Sequence, residues 1–424
     1  MLSRERVELS LAHKEPDMVP VDFGGGVVTG INVSMVYLLR QALKLDKPGT
    51  PVKVIEPLQM LGEIKPDLME ALGADVMPVT GLYNMFGYKN TGWKPWVTFG
   101  GTPVLVPGNF NIDPEPNGEI LMYPEGDKSA PASGKMPKDG FYFDAIVRQA
   151  AFDEENLKVE DNTEEFKLIS KEELEHLRVN IEKIYNETDK AILANFGGTA
   201  FGDIALVPAP WLKNPKGIRD LTEWYMSTLI RRDYVYQVFE KQCEIALANL
   251  KTIYSAVGDK VSIVYLSGAD FGTQTSSFIS PEAYRDLYMP FHKKLNSWIH
   301  LNTKWKTFMH SCGSISNLID LFIESGFDIL NPVQCSAVNM GPSLLKERFG
   351  KKITFWGGGV DTQKTLPFGK PEDVITEVKE RIKIFGKDGG FVFNTVHNIQ
   401  AKTPVDNILA MIDTVKKYRK YPLT

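Results

Sequence analysis

Eight short apolar runs recur along this chain, most followed by a longer stretch with helical spacing, and that alternation constrains the fold more than any other feature. The runs begin at Val19 (VPVDFGG), Ala74 (ADVMPVTG), Ala191 (AILANFGG), Val261 (VSIVYLSG), Trp305 (WKTFMHS), Phe327 (FDILNPVQ), Ile353 (ITFWGGG) and Gly390 (GFVFNTV). Nearly continuous apolar strands indicate a parallel sheet buried on both faces. Helical patterns fill many of the gaps. SPEAYRDLYMPFHKKLNSWIH opens with Ser280 as N-cap and Pro281 in the first helical position. SISNLIDLFIESG places Ile315, Leu318, Ile319 and Phe322 on one face and stops at Gly326. KPEDVITEVKERIKIFG does the same with Val374, Val378 and Ile382. The pattern predicts an α/β fold, a TIM-type (β/α)8 barrel in a single domain over residues 1–424. A doubly wound open sheet is the alternative, because counting strands does not establish closure.

Two regions break the alternation. Residues 95–165 carry Pro, Gly and Asp every few positions, and PNGE at Pro116 reads as a hairpin turn. An inserted lobe of short antiparallel strands and loops is expected there, between the second and third barrel units. The charged stretch DEENLKVEDNTEEFKLISKEELEHLRVNIEKIY reads as a solvated spacer helix. The net charge of −5 and the absence of any Lys/Arg cluster argue against nucleic acid or an anionic membrane as partner. No run of about eighteen apolar residues suggests a membrane span. The N-terminus lacks a signal-peptide core, so a cytoplasmic protein is expected. Three Cys are too few for a disulfide framework in 424 residues, which leaves thiols for metal binding or chemistry.

In a parallel barrel, function gathers at the C-terminal ends of the strands. There stand Asp270 after the fourth strand, His310 and Cys312 after the fifth, Cys335 after the sixth, Asp361 after the seventh, and Asn394 and His397 after the eighth. In extended backbone an H-x-C pair puts both side chains on one face. Imidazole and thiolate are zinc ligands. Cys335 comes from the expected neighbouring strand, and His397 reaches the site only across the barrel mouth. The plainer reading makes Cys312 and Cys335 small buried residues and gives His310 a backbone carbonyl. Asp270 and Asp361 are candidates for catalysis or substrate contact, and equally for helix caps or turns. Tyr83 and Phe86, in a crowd of aromatics after the second strand, could line a pocket for a flat ligand or pack the lobe. His13, His176, His292 and His300 lie in helical patterns among charges and read as surface residues, and Cys243 as helix packing.

RERVELSLAHKEPDMVPV, SPEAYRDLYMPFHKKL, HSCGSI, GGVDTQKTLPFGKPEDV and NTVHNIQAKTPVDNILAMIDTVKKY together resemble the uroporphyrinogen decarboxylase superfamily through most of the chain outside the insertion. The resemblance implies a TIM-type barrel. The decarboxylases themselves carry an arginine-rich loop for porphyrinogen carboxylates and an essential Asp after the second strand. Here the corresponding stretches, DFGGGVVTGINV and MPVTGLYNMFG, hold neither Arg nor acid. The zinc-dependent corrinoid methyltransferases of the superfamily use an H-x-C…C ligand pattern, whose first two members match His310 and Cys312. Where the thiol-methylating members have a last Cys, this chain has His397, so the third ligand is Cys335, His397 or both. The insertion resembles the methyltransferase I components of anaerobic aryl O-demethylases. That likeness implies zinc, a methoxylated aromatic as small-molecule substrate, and a corrinoid (cobalamin) carried by a partner protein. Asp270 and Asp361 would then act in catalysis, with Tyr83, Phe86 and Asn394 toward the substrate. A methylcobalamin:thiol methyltransferase, a decarboxylase and a non-catalytic metal- or corrinoid-binding protein are the alternatives. Homodimerisation is left open by the sequence.

Overall fold

The computed structural model describes residues 1–423; Thr424, the last residue of the expected domain, lies outside them. Seven strands form one parallel sheet, each paired with the next: Val76–Val79, Ala191–Ala194, Ile263–Ser267, Lys306–His310, Ile329–Asn331, Thr354–Trp356 and Phe391–Val392. The segment around Val21 joins the two outer strands. Val21 forms a parallel bridge with Phe393. Asp22 N–H donates to Phe393 O, and on the other side Asp75 N–H donates to Val21 O. The sheet therefore curls into a TIM-barrel-like ring, with the Val21 segment as its first strand and Phe391–Val392 as its eighth.

Alternation along the strands sorts residues into two cores. Val76, Leu193, Ile263, Tyr265, Phe308, Ile329, Trp356 and Val392 fill the barrel interior. Ile192, Val264, Met309, Leu330, Phe355 and Phe391 pack outward, in the core shared with the helices. His310 and Asn331 continue the inner rows of Phe308 and Ile329, and they are register partners across the fifth and sixth strands. Two strands buried on both faces thus deliver two polar side chains to the inside of the ring at its C-terminal end.

Several stretches depart from the sequence reading. Residues 281–302 form two helices, Pro281–Leu287 and Met289–Asn302, separated at Tyr288. Pro290 explains the break, since it has no N–H and its ring crowds the preceding turn. Within the charged stretch only Lys171–Glu187 is α-helical, started by a Ser170–Glu173 capping box. Upstream, Asn162 accepts from Ile218 N–H and donates to Ile218 O (2.7 and 2.9 Å), bonds that compete with helix. His292 is fully buried, its Nδ1 2.9 Å from the Tyr284 hydroxyl, because it lies on the same helical stripe as Leu295 and Ile299.

Between the second and third barrel strands, Lys94–Val97 pairs antiparallel with Pro103–Val106. The latter also pairs in parallel with Val52–Glu56, which precedes the second barrel strand. A separate antiparallel sheet holds Ile120–Met122, Gly134–Met136 and Asp144–Ala145. The β-structure beside the barrel thus recruits residues from outside 95–165, and the strand it recruits ends at the buried Glu56. Among the described residues no helix is long and apolar enough to cross a membrane.

Candidate metal centre

His310, Cys312 and His397 converge at the C-terminal end of the barrel, with one donor atom from each lying within 4.8 Å of the others. Cys312 Sγ is 3.4 Å from His310 Nε2. A tetrahedral zinc with ordinary bond lengths sets N and S ligands about 3.5 Å apart, so this pair needs no rearrangement to share an ion. Two imidazoles and a thiol match the three protein donors of a catalytic zinc site.

His310 is held in one tautomer. Asn331 Nδ2 donates to Trp356 O (2.8 Å), which fixes the amide and leaves Oδ1 toward the ring. His310 Nδ1–H donates to that oxygen at 2.5 Å, so Nε2 keeps its lone pair and faces Cys312. Asp270 Oδ1 accepts Cys312 N–H at 2.7 Å and lies 3.7 Å from His310 Nε2. Gly313 completes the turn after Cys312. Its φ is +88°, and any side chain there would run into Gly272 and Thr273 backbone.

His397 is placed differently. Its φ of +71°, unusual for a residue with a side chain, turns its ring to 5.2 Å from that of His310. Asn398 N–H donates to His397 Nδ1 (2.8 Å), which puts the neutral ring's proton on Nε2. Ligation through Nε2 therefore requires that backbone bond to give way. Burial, with His310 adding, holds the His397 imidazole down at about 4, so the ring is neutral. Burial, with the Asp270 charge adding, pushes the Cys312 thiol well above its usual range. A cation among these groups would reverse that, since a coordinated thiol is deprotonated.

The other expected site residues lie elsewhere. Cys335 is outside the cluster: its Sγ is 3.3 Å from Val333 O, and it lies near Arg381 and Glu377 of the helix Pro371–Gly386. The strand ends at Asn331, and beyond it alternation no longer decides where a side chain points. Asp361 accepts N–H from Gln363 and Lys364 at 2.6 and 2.9 Å, as a loop cap. Asn394 is buried, its Nδ2 donating to Asp22 O at 2.6 Å. Phe86 is buried against Tyr88 and Phe143. Tyr83 lines a cavity of about 1880 Å³ whose wall also includes Asp270, His310 and His397. Asn331, Asp203 and Glu56 went unremarked in the sequence. The first had a signal, an Asn at the last position of a strand beside the H-x-C strand. Glu56 ends the strand Val52–Glu56 and Asp203 sits in an irregular connection, and only the folded chain brings both to the cavity.

Comparison with known proteins gives four findings. Residues 210–418 match the family described as Uroporphyrinogen decarboxylase (URO-D). A methylated-thiol–coenzyme M methyltransferase of Methanosarcina mazei is 26% identical over 174 residues, 41% of each chain. A uroporphyrinogen decarboxylase of Pseudoalteromonas atlantica is 22% identical over 46% of this chain and 56% of its own. The matches thus span about half the length of these relatives. A solved structure, a methyltransferase from Methanosarcina mazei, superposes with a TM-score of 0.55 at 15% identity over 99% of both chains, which establishes a shared fold. The family match falls on the part of the chain that carries His310, Cys312 and His397, and that part is similar to the uroporphyrinogen decarboxylases.

Proposed function

We propose that this chain is a zinc-dependent methyltransferase that moves the methyl group of a methoxylated aromatic compound to the reduced corrinoid of a partner protein. The convergence of His310, Cys312 and His397, two of which, His310 and His397, line a large cavity, carries this reading. The similarity to a protein named as a methyltransferase supports it. In the overall reaction the methyl carbon leaves the aryl oxygen for cobalt, and that oxygen ends as a phenolate or, with one proton, a phenol.

His310, Cys312 and His397 would hold the zinc. Bound there, it supplies a Lewis acid for the ether oxygen, whose departure as phenolate is otherwise slow. The chain's own groups prepare the place. Asn331 keeps the proton on His310 Nδ1 and so keeps Nε2 available. Asp270 fixes the Cys312 backbone and sets a negative charge beside the His310 ring. The neutral His397 ring closes the cluster from the opposite side of the mouth. The cavity, at about 1880 Å³, is larger than a single-ring substrate needs, which leaves room for a second reactant to approach.

The test is absorbance-monitored methylation of a reduced corrinoid protein by the purified chain with a methoxyphenol. Saturable transfer that is lost on Cys312→Ala supports the proposal. Full transfer by a metal-free Cys312→Ala variant would refute it. A second reading, favoured by the methylated-thiol relative, puts a thiol at the same centre. Turnover that requires a thiol and ignores aryl ethers would select it.

A further inference from the structure

Outside the His310–Cys312–His397 cluster, the cavity lining carries two buried carboxylates without a cationic partner among the described residues. Glu56 is 7% exposed; its Oε1 accepts Leu58 N–H at 3.1 Å and its Oε2 accepts Gln59 N–H at 2.7 Å. Asp203 is 8% exposed; its Oδ1 accepts Ala205 N–H at 2.9 Å, and among the described residues no hydrogen bond reaches Oδ2. Neither forms an ion pair among the described residues, and both line the cavity that reaches His310 and His397. Burial pushes each carboxyl up to about 7, with the Asp270 charge adding at Asp203.

Glu56 is linked to the metal centre through a short polar chain. Its partner residue Gln59 accepts at Oε1 from Asn398 Nδ2 (2.7 Å), and Asn398 N–H donates to His397. The cations on the cavity wall do not offset these acids. Arg219 is bound by Glu165 at 2.8 Å and Lys89 by Glu172 at 2.5 Å. Lys167 is exposed, and Lys65 is half-buried at the start of the helix Pro66–Leu72, where Asp67 feels its charge. A buried carboxylate without a counter-charge is costly and is relieved by a proton, a hydrogen-bond donor or a cation. An anion brought beside it adds repulsion.

We infer that the cavity selects an uncharged or cationic substrate and rejects a carboxylated one, with Glu56 and Asp203 reading its charge. As a choice among methoxylated aromatics the inference rests on the proposed function, but the binding preference stands apart from the reaction. The probes are vanillyl alcohol, vanillylamine and vanillate, which share ring, hydroxyl and methoxy groups and differ in charge. Their affinities for the full-length protein are measured by calorimetry at pH 8, and methyl transfer to a reduced corrinoid protein is followed in parallel. The amine and the alcohol are expected to bind at least about tenfold more tightly than the carboxylate. Glu56→Gln and Asp203→Asn, each checked for folding by its melting curve, are expected to narrow the gap between amine and carboxylate severalfold. Failure of the amine to bind more tightly than vanillate overturns the inference, whatever the transfer assay shows. Preference for the amine without methyl transfer from any probe would sustain it and remove the proposed reaction instead.

Discussion

Two sets of polar groups at one cavity are built on opposite terms. Around His310, polar groups are partnered in sequence: Trp356 O holds Asn331, Asn331 holds His310, and Asp270 holds Cys312. At Glu56 and Asp203 the carboxylates are buried with backbone N–H donors alone. The first arrangement fixes the orientation of side chains and suits a centre whose geometry must not drift. The second leaves charge uncompensated until something enters. On the proposed function, the first set of groups carries the chemistry and the second the selection.

The largest effect is expected from Cys312→Ala. Loss of a Lewis acid worth several kcal/mol should lower methyl transfer by about a thousandfold or more, while probe binding at Glu56 changes little. Calorimetry beside the transfer assay separates the two, and equal losses in both would merge the two sets into one function. Next comes Asn331→Leu, which removes the acceptor that holds His310 in its tautomer. Metal affinity, read by competition with a chelator, should fall about 10- to 100-fold. Unchanged affinity would mean that the ring is oriented by packing alone.

How much of this was legible in the sequence follows the same division. Strands buried on both faces must be apolar throughout, so the barrel runs stood out, and polar residues at their ends stood out against them. His310 and Cys312 sit where strand alternation still applies. Cys335 does not: the chain has left its strand four residues earlier, and nothing local says that its thiol turns toward Val333 O and the outer helix. The proximity of His397 depends on a left-handed backbone at that residue, which no residue type announces unless it is Gly or Asn. Glu56 ends a strand that pairs with residues 103–106, and Asp203 sits in an irregular connection. Their shared cavity is a product of long-range packing, which has no period to read.

A smaller effect concerns pH. Glu56 is raised from its ordinary 4.5 to about 7 in the folded chain. The native state therefore holds this proton more tightly than the unfolded state, and the associated stability is full below about 4.5 and lost as pH rises through about 7. The difference amounts to about 3 kcal/mol as an upper bound. Glu56→Gln should remove that part of the decline in urea titrations between pH 5 and pH 8. An unaltered slope would mean that Glu56 finds compensation in solution. The smallest effect belongs to Cys335→Ala, which should cost about 1–2 kcal/mol of stability or less and leave transfer intact. A thousandfold loss there would move the centre toward the sixth strand.

The central claim is that His310, Cys312 and His397 bind one zinc ion. Metal content of the full-length protein, purified without chelator, tests it most directly, with wild type beside Cys312→Ala, His397→Ala and Cys335→Ala. The expected result is about one zinc per chain in the wild type and in Cys335→Ala, and little in the other two. A folded wild-type protein without zinc, or equal zinc in all four, would contradict it.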